Sequence, residues 1–396
     1  MVPILEFMEN KFSKIPAILL RCLVSFIPRN KHLIVYGGAM DYFIDNVKYL
    51  FILHQQMMPD YQHVWLTKRD ATYFQLQALK LPVYKTNSLK GWYYHLRAGF
   101  FISDDEIDRF AYHNCSSGAI RINLWHGVPF KMIGWIHSDD DPAYQPKSKL
   151  WEKYIAHHLH GDYCLSTSKS ISRHFSSALH FPLENIYISG YPRTFLFYKN
   201  EDEQLEFVRH YESKDMLDTY LKIKGMHSRK LIYMPTFRDK NPNYIDEAIP
   251  NWKELDEVLK KNNNILYLKV HRMTPTPKGE DLSNIVILDN SLDIYPLLPL
   301  FDCLISDYSS IMSDFGLLKR PVVLYAFDLD DYISHSRPVF KRFWDVYERL
   351  SILKSFEDLK SLISNKELPT SYFPVETYYD CPQDIEATKR LIERLT

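Results

Sequence analysis

Short apolar runs alternate with segments of helical spacing along most of the chain. In the first half, the apolar runs predict strands, and several of the segments between them predict helices. The predicted strands are 32–36, 64–66, 83–84, 100–103, 120–125, 163–166 and 186–189. The predicted helices are 45–57, 74–79 and 90–98. This alternation is typical of a parallel, doubly wound α/β sheet.

The same alternation restarts at residue 229, after a charged segment at 196–227 that we predict to be helical. The predicted strands of this second half are 230–234, 265–270, 285–288, 303–306 and 322–325. Its predicted helices are 252–261, a helix around 292–298 and a helix after 310. The sequence therefore predicts two α/β domains that face a cleft. We expect a first domain at 1–200, a linker region at 201–228, a second domain at 229–375 and a C-terminal helix at 376–396.

Residues 4–27 have a helical pattern that Pro16 interrupts. The apolar part is too short and too charged to span a bilayer, and no secretory cleavage site is evident. The segment is basic and amphipathic, so it predicts either docking on an anionic membrane surface or an ordinary helix packed on a sheet. Its basic residues are Lys11, Lys14, Arg21, Arg29 and Lys31.

The amino-acid composition limits the classes of function and of ligand that the chain can have. The chain is 46% hydrophobic and 24% charged, as expected for a soluble globular protein. A net charge of -1 argues against nucleic acid as a partner. Only 12 glycines occur and none forms a glycine-rich phosphate loop, so helix ends, hydroxyl groups and cationic side chains must bind any phosphate. The five cysteines are widely separated, which predicts free thiols in a reducing cytoplasm.

The strongest candidate site lies in residues 301–332, which read as strand, polar turn, helix and strand. The turn contains Asp307, Ser309 and Ser310. Ligands of open α/β sheets bind beyond the carboxyl ends of the strands, and helix N-termini bind phosphate. Ser309 and Ser310 are therefore candidate phosphate ligands. The alternative is that Asp307 or Ser309 only caps the helix.

Two other strand ends carry candidate chemistry. His126 follows the predicted strand at 120–125, where it could act as a general base or be structural. Arg193 follows the strand at 186–189 and could bind phosphate or pair with an acid across the turn.

Acidic and histidine clusters do not predict a metal site. We expect 104–106, Asp-Asp-Glu, to be a solvated loop at a strand end, with metal binding as the alternative. Segment 135–151 predicts a mobile loop over the site, a lid, and its Asp139-Asp140-Asp141 run is typical of a loop. Its D-x-D spacing leaves a divalent ion as the alternative. The nearby His157, His158 and His160 lack zinc-like spacing.

Five segments, in order and spacing, resemble one family: the CDP-glycerol glycerophosphotransferases that build teichoic acids and similar capsule polymers. They read LWHGVP (124–129), GYPR (190–193), YMPTFRD (233–239), LKVH (268–271) and SDYSS (306–310) with Asp314-Phe315 after it. Weaker likeness extends to Asp45-Asn46 and to 325–328, so the resemblance covers roughly 32 to 335.

The resemblance implies a GT-B fold of two Rossmann-like domains facing a cleft, with the donor CDP-glycerol bound mainly by the second domain and CMP released. It implies that His126 is the base and that His271 contacts the diphosphate or leaving group. The remaining implied substrate-binding residues are Ser309, Ser310, Arg238, Asp307, Arg193, Lys131, Gly127, Thr236 and Asp314.

The implied acceptor is a hydroxyl of a lipid-linked saccharide, an oligosaccharide or a growing polyol-phosphate chain. No cofactor or metal is required, although a divalent cation could assist. We expect a cytoplasmic protein, peripheral on the inner face of the bacterial plasma membrane. The chain length resembles the shorter primases, and short polymerases remain possible. The alternatives are another nucleotide-sugar enzyme of this fold, such as a sialyltransferase-like protein or an epimerase, and a non-catalytic membrane-surface scaffold of a capsule assembly complex.

Overall fold

The structure is a computed structural model that describes residues 14–105, 107–134, 161–238, 241, 243–271, 274, 282–335 and 339–396. The predicted lid at 135–151, its Asp139-Asp140-Asp141 run and the three histidines after it lie outside the described residues, as does Lys11. The chain divides into two compact units. The first unit contains Met1–His126, Pro142–Phe195 and Asp380–Thr396, and the second contains Gly127–Asp141 and Leu196–Tyr379.

A parallel sheet forms the centre of the first unit, with strand order β3-β2-β1-β4-β5-β6-β7. The strands are β1 Asn30–Gly37, β2 Gln62–Thr67, β3 Val83–Lys85, β4 Ala98–Ser103, β5 Ile120–Asn123, β6 Tyr163–Ser166 and β7 Ile186–Ile188. The helices are α1 Lys14–Ser25, α2 Asp45–Met57, α3 Asp70–Ala78, α4 Leu89–Arg97 and α5 Lys169–Leu179. Every residue of β4 is buried, as expected for a parallel strand covered on both faces.

The second unit repeats this design with strand order β10-β9-β8-β11-β12-β13. Its strands are β8 Arg229–Met234, β9 Asn264–Leu268, β10 Ile285–Ile287, β11 Cys303–Ser306, β12 Val322–Tyr325 and β13 Ser351–Leu353. Its longer helices are α6 Glu201–Tyr211, α7 Lys214–Lys224, α9 Trp252–Lys261 and α13 Phe356–Ser364. Its shorter helices are α8 Tyr244–Ala248, α10 Ile311–Gly316, α11 Leu329–His335, α12 Lys341–Tyr347 and α14 Val375–Tyr378. Both sheets switch direction of winding beside their first strand, which is the doubly wound topology of dinucleotide-binding folds.

The prediction of a helix around 292–298 is wrong. The structure has turns there and a short 3-10 helix at Leu298–Leu300. Pro296 and Pro299 lack the N–H groups that an α-helix would need in this segment, so the apolar spacing did not produce a helix.

Helix α1 begins within the basic N-terminal segment and has Pro16 in its first turn, where the missing N–H is tolerated. It contains 12 residues. None of the described helices is long and apolar enough to cross a bilayer.

The segment Asp380–Thr396, which carries helix α15 (Ala387–Leu395), returns to the first unit. The N–H of Gly190 donates to the carbonyl of Asp384 at 2.9 Å. A Cβ atom on Gly190 would lie 2.0 Å from the carbonyl oxygen of Pro382. Only glycine allows the returning segment to pass this close to the end of β7.

Candidate active site

His126 lies just beyond the carboxyl end of β5, in a turn of unusual backbone geometry. Trp125 has a φ of 55° and Gly127 a φ of 140°. The first value is rare for a residue with a side chain, and the second is natural only for glycine. The side chain of Asn123 accepts a hydrogen bond from the Trp125 N–H at 2.8 Å. This turn leaves the His126 side chain exposed at the end of a buried strand.

The ring of His126 has a defined proton position. Its Nδ1 lies 3.2 Å from the main-chain oxygen of Asp104. A carbonyl oxygen only accepts hydrogen bonds, so Nδ1 carries the proton, and the neutral ring has its lone pair on Nε2. The ring also stacks on Trp125, with 4.4 Å between ring centroids. His126 can therefore accept a proton at Nε2.

The solvated loop expected at 104–106 needs a correction. Asp104 is fully buried. It directly follows β4, so the burial of that strand continues for one more residue. Glu106 lies outside the described residues.

Arg193 is buried in the first unit rather than open to a ligand. Its side chain is 3% exposed, and Nη1 donates to Asp45 at 2.6 Å. The same nitrogen donates to the main-chain oxygen of His126 at 3.0 Å. Of the two alternatives for Arg193, pairing with an acid is the one that the structure shows, and the partner is Asp45.

Gly127 and Lys131 belong to the segment that enters the second unit after His126. Lys131 forms an isolated antiparallel bridge with Val339 and is half-buried. The N–H of Phe340 donates to the carbonyl of Phe130 at 2.9 Å. The backbone around Lys131 is thus held by the chain that precedes α12.

In the second unit, Asp307 joins the ends of two neighbouring strands, β8 and β11. Its carboxylate is fully buried and accepts the N–H of Thr236 at 2.9 and 3.1 Å. It also accepts the N–H of Tyr308 at 2.5 Å and Nη2 of Arg238 at 2.9 Å. Asp307 therefore orders the turns that follow both strands, rather than capping the helix after them.

Arg238 bridges two carboxylates. Besides Asp307, it donates to Asp328 at 2.7 and 2.9 Å. Its guanidinium also lies within 5.1 Å of the ring centroids of Tyr244, Tyr308 and Tyr332. Burial opposes the charge on Arg238, but the two carboxylates outweigh it and raise the pKa above its usual value. Arg238 is thus positively charged, and the carboxylates of Asp307 and Asp328 balance its charge.

Ser309 and Ser310 lie on the outer side of the same turn and are half-buried. Ser309 Oγ accepts a long hydrogen bond, 3.4 Å, from the N–H of Ile311. No side chain caps α10 at Ser310. The long contact from Ile311 is thus the hydrogen bond that supports helix capping by Ser309. Helix α10 has six residues.

His271 is exposed and follows β9. Its ring lies 5.4 Å from that of Phe237, measured between centroids. Phe237 lies between Thr236 and Arg238, so the Asp307 network fixes the backbone that carries the ring next to His271. The convergence of His271 and His126 on one substrate stays a prediction.

Asp314 is buried in a separate cluster. It accepts hydrogen bonds from the hydroxyls of Tyr295 at 2.6 Å and Tyr379 at 2.5 Å. The structure thus gives this carboxylate two tyrosine partners inside the second unit.

Within the described ranges, no group of three histidine, cysteine or acidic side chains could hold a metal ion. The Asp139-Asp140-Asp141 run is not among those residues.

The residues that motif reasoning did not assign to the site are Asp45, Asn46 and Asp328. Asp45 pairs with Arg193, Asn46 donates to the main-chain oxygen of Trp125 in the His126 turn, and Asp328 pairs with Arg238. The weaker family likeness at 45–46 and 325–328 was the signal that pointed to them.

Comparison with known proteins places these features in one family. The sequence model described as CDP-Glycerol:Poly(glycerophosphate) glycerophosphotransferase matches residues 19–376. The chain is 27% identical over 327 residues to a teichoic acid poly(glycerol phosphate) polymerase of Staphylococcus epidermidis, covering 78% of this chain and 42% of that protein. It is 30% identical over 218 residues to a teichoic acid ribitol-phosphate primase of Bacillus spizizenii, covering 54% and 53%. The chain thus spans about half the length of these relatives.

The structure resembles that of the wall teichoic acid polymerase TagF, with a TM-score of 0.70 and 20% sequence identity. The match covers 100% of this chain and 97% of that one. This likeness shows the fold: an α/β protein of GT-B type with two Rossmann-like, doubly wound domains.

Proposed function

Because the chain belongs to the CDP-glycerol:poly(glycerophosphate) glycerophosphotransferase family, we propose that it transfers glycerol phosphate from CDP-glycerol to an acceptor hydroxyl and releases CMP. The observation that carries the proposal is the state of His126. Its Nδ1 is engaged by the carbonyl of Asp104, so Nε2 is the basic nitrogen. A transferase of this kind needs such a base on the acceptor hydroxyl.

In the proposed reaction, Nε2 of His126 takes the proton of the acceptor hydroxyl. The hydroxyl oxygen attacks the phosphorus of the glycerol phosphate group in line. The bond from this phosphorus to the bridging oxygen breaks, and CMP leaves with the electron pair. Phosphoryl transfer depends mainly on positioning and on neutralising charge.

The second unit supplies the donor-binding groups of this proposal. Ser309 and Ser310 would donate hydroxyl hydrogen bonds to the diphosphate. His271 would stabilise the charge on the leaving group. The arrangement of Asp307, Thr236 and Arg238 supports the role of the two serines indirectly, since it orders the turn that carries them. A metal ion is not required, although a divalent cation could assist at the diphosphate.

The test is CMP release from CDP-glycerol by the His126→Ala variant. We expect turnover to fall about 10²–10⁴-fold, as for loss of a general base, with an unchanged melting temperature. The control is His210→Ala, because His210 is exposed on α6 and outside the site. Near-normal CMP release from His126→Ala would contradict the base role. Donor binding without any CMP release from the unmodified protein would instead favour a scaffold.

The acceptor is proposed to be a lipid-linked saccharide or a growing polyol-phosphate chain. The relatives named above include a glycerol-phosphate polymerase and a ribitol-phosphate primase, so CDP-ribitol belongs in the same donor assay. Mass spectrometry of the product would give the number of units added and so separate a primase from a polymerase.

We place this activity on the inner face of the bacterial plasma membrane, with the protein bound peripherally. The exposed apolar residues of the N-terminal segment support this placement, since Leu23 is 69% and Phe26 is 83% exposed. Arg29 is not part of this surface, because its guanidinium donates to the carbonyls of His95 and Cys115. The other basic residues of the segment would favour anionic lipids.

Sedimentation with vesicles tests the placement. Replacing both Leu23 and Phe26 by serine should weaken binding to phosphatidylglycerol vesicles by at least ~10-fold, since two apolar side chains lose their burial in lipid. Leu183→Ser is the matched control, because Leu183 is 50% exposed elsewhere on the same unit. Equal binding by both variants would remove the N-terminal segment from membrane docking.

A further inference from the structure

The turn that carries His126 is held by three residues, Asp45, Asn46 and Arg193, which we call the base clamp. Asp45 and Asn46 open helix α2, and Arg193 lies in the 3-10 helix Pro192–Tyr198. All three belong to the first unit. No single motif contains all three, because Arg193 lies 148 residues from Asp45 and meets Asp45 and Asn46 only in the folded domain.

The clamp binds the main chain on both sides of the base. Arg193 Nη1 donates to the main-chain oxygen of His126 at 3.0 Å while it is ion-paired with Asp45 at 2.6 Å. Asn46 Nδ2 donates to the main-chain oxygen of Trp125 at 2.8 Å. Asn46 Oδ1 accepts the N–H of Arg193 at 3.2 Å, which ties the two contacts together.

The turn needs this support. Trp125 has a φ of 55°, in the left-handed region that a tryptophan rarely adopts. Such backbone persists only where the surrounding structure holds it in place. Released from the clamp, the turn would relax, and the Nδ1 contact of His126 with Asp104 would be lost with it.

The clamp is also poorly placed to bind a ligand directly. Asn46 is fully buried, and the side chain of Arg193 is 3% exposed. The guanidinium already donates hydrogen bonds to the carboxylate of Asp45 and the carbonyl of His126. Both of these hydrogen bonds are therefore made within the protein, one to a side chain and one to the main chain.

We propose that Asp45, Asn46 and Arg193 are positioning residues that set the place and the tautomer of His126. The inference rests on the proposed role of His126 as the base. It assigns the arginine of the GYPR segment to the acceptor-activating side of the reaction, not to donor binding.

The experiment measures kcat and KM for CDP-glycerol in Arg193→Met, Arg193→Lys and Asn46→Asp. We expect Arg193→Met to lower kcat by about 10–100-fold with KM changed by less than about threefold, because misplacing a base reduces the chemical step. Arg193→Lys should recover part of kcat, since it restores the cation but not the planar guanidinium whose Nη1 donates to both Asp45 and the His126 carbonyl. A rise in KM of about tenfold or more with kcat maintained would overturn the proposal, since it is the signature of a donor ligand.

Asn46→Asp keeps the test valid if Arg193→Met fails to fold. It preserves the volume of the side chain and the acceptor for the Arg193 N–H, but it removes the donor to the Trp125 carbonyl and places a second carboxylate beside Asp45 and Arg193. We expect kcat to fall about tenfold or more. Unchanged kcat in a folded Asn46→Asp variant would contradict the clamp.

Arg121 offers a matched control. It lies at the amino end of β5, the strand that leads to His126, and is 8% exposed. It pairs with Asp162 at 2.9 and 3.0 Å. Arg121→Met therefore removes a buried arginine that is paired with the half-buried Asp162 in the same domain, without touching the His126 turn. We expect kcat of the folded variant to stay within about threefold.

Nitrogen NMR of histidine-labelled protein separates this inference from the proposed function. The unmodified protein should show His126 protonated at Nδ1, and the clamp variants should show a mixture of tautomers, whereas Arg121→Met should not. Altered His126 signals with full activity in His126→Ala would refute the base role alone. Unaltered signals in Asn46→Asp and Arg193→Met, with activity lost in His126→Ala, would refute the clamp alone.

Discussion

Among the described residues, each unit has a buried arginine at the carboxyl edge of its sheet, and the two arginines, Arg193 and Arg238, have different partners. Arg193 and Arg238 both have side chains that are 3% exposed. Arg193 pairs with one carboxylate, Asp45, whose side chain is 19% exposed, and binds the carbonyl of His126. Arg238 pairs with two carboxylates, Asp307 and Asp328, at 0% and 11% exposure.

The difference lies in what each arginine holds. Arg193 holds main chain next to a proposed catalytic group, so its loss should appear mainly in turnover. Arg238 balances two buried negative charges and joins the turns after β8 and β11 to Asp328, so its loss should appear mainly in stability. A buried arginine in a motif is therefore not by itself a sign of phosphate binding, because its protein partners decide its role.

The largest difference between the two arginines should appear in the free energy of unfolding of the Arg238→Met variant. The variant leaves two carboxylates in the interior without their cation, and breaking a buried ion pair in this way costs about 3–5 kcal/mol. Urea unfolding should show this loss in the second unit. Arg193→Met should lose less, since it leaves only one, partly exposed carboxylate.

Arg320→Met is the control for Arg238→Met. Arg320 is half-buried in the same unit and donates to the carbonyls of Pro299 and Phe301. A loss of stability in Arg320→Met as large as in Arg238→Met would mean that packing of the long side chain, and not charge balance, explains the effect.

A smaller difference between the units should appear in acid. Burial lowers the pKa of His54 to about 3 and that of His95 to about 4, both in the first unit. Because these values are below that of the unfolded chain, the unfolded state gains protons first as the pH falls. Stability is therefore full above pH ~6.5 and falls between pH ~6 and ~4 by about 1.4 kcal/mol per pH unit for each histidine. In the second unit, His210, His227 and His271 are exposed.

Hydrogen exchange of peptides from each unit, corrected for the intrinsic rate, measures this difference. The first unit should lose protection at pH 5 relative to pH 7 by more than the second. His54→Gln should make the first unit less sensitive to acid, and His210→Gln should not. Equal acid sensitivity of both units would refute the assignment to buried histidines.

Much of the fold was predictable because the strands are buried on both faces and so read as short apolar runs. Helices at 45–57 and 252–261 have the predicted bounds, since their apolar spacing is regular. The prediction failed at 292–298, where Pro296 removes an N–H group from a segment with helical spacing and Pro299 follows directly after it. It also failed at Asp104, because a polar residue type does not reveal that a buried strand continues into it.

The positions of His126, His271 and the serine turn were predictable, because each follows a buried strand. Their partners were not. Asp45 is 148 residues from Arg193, and Asp307 is 69 residues from Arg238. A single sequence shows which residue types follow strands, but pairing across such separations is set by the packing of the whole domain.

The return of Asp380–Thr396 to the first unit also sets an order for folding during synthesis. The ribosome makes all of Leu196–Tyr379 before it makes the segment that packs at Gly190. The edge of the first sheet therefore receives its cover from a segment that is translated after the whole second unit. The half that carries His126, although translated first, thus depends on residues that are translated after its partner.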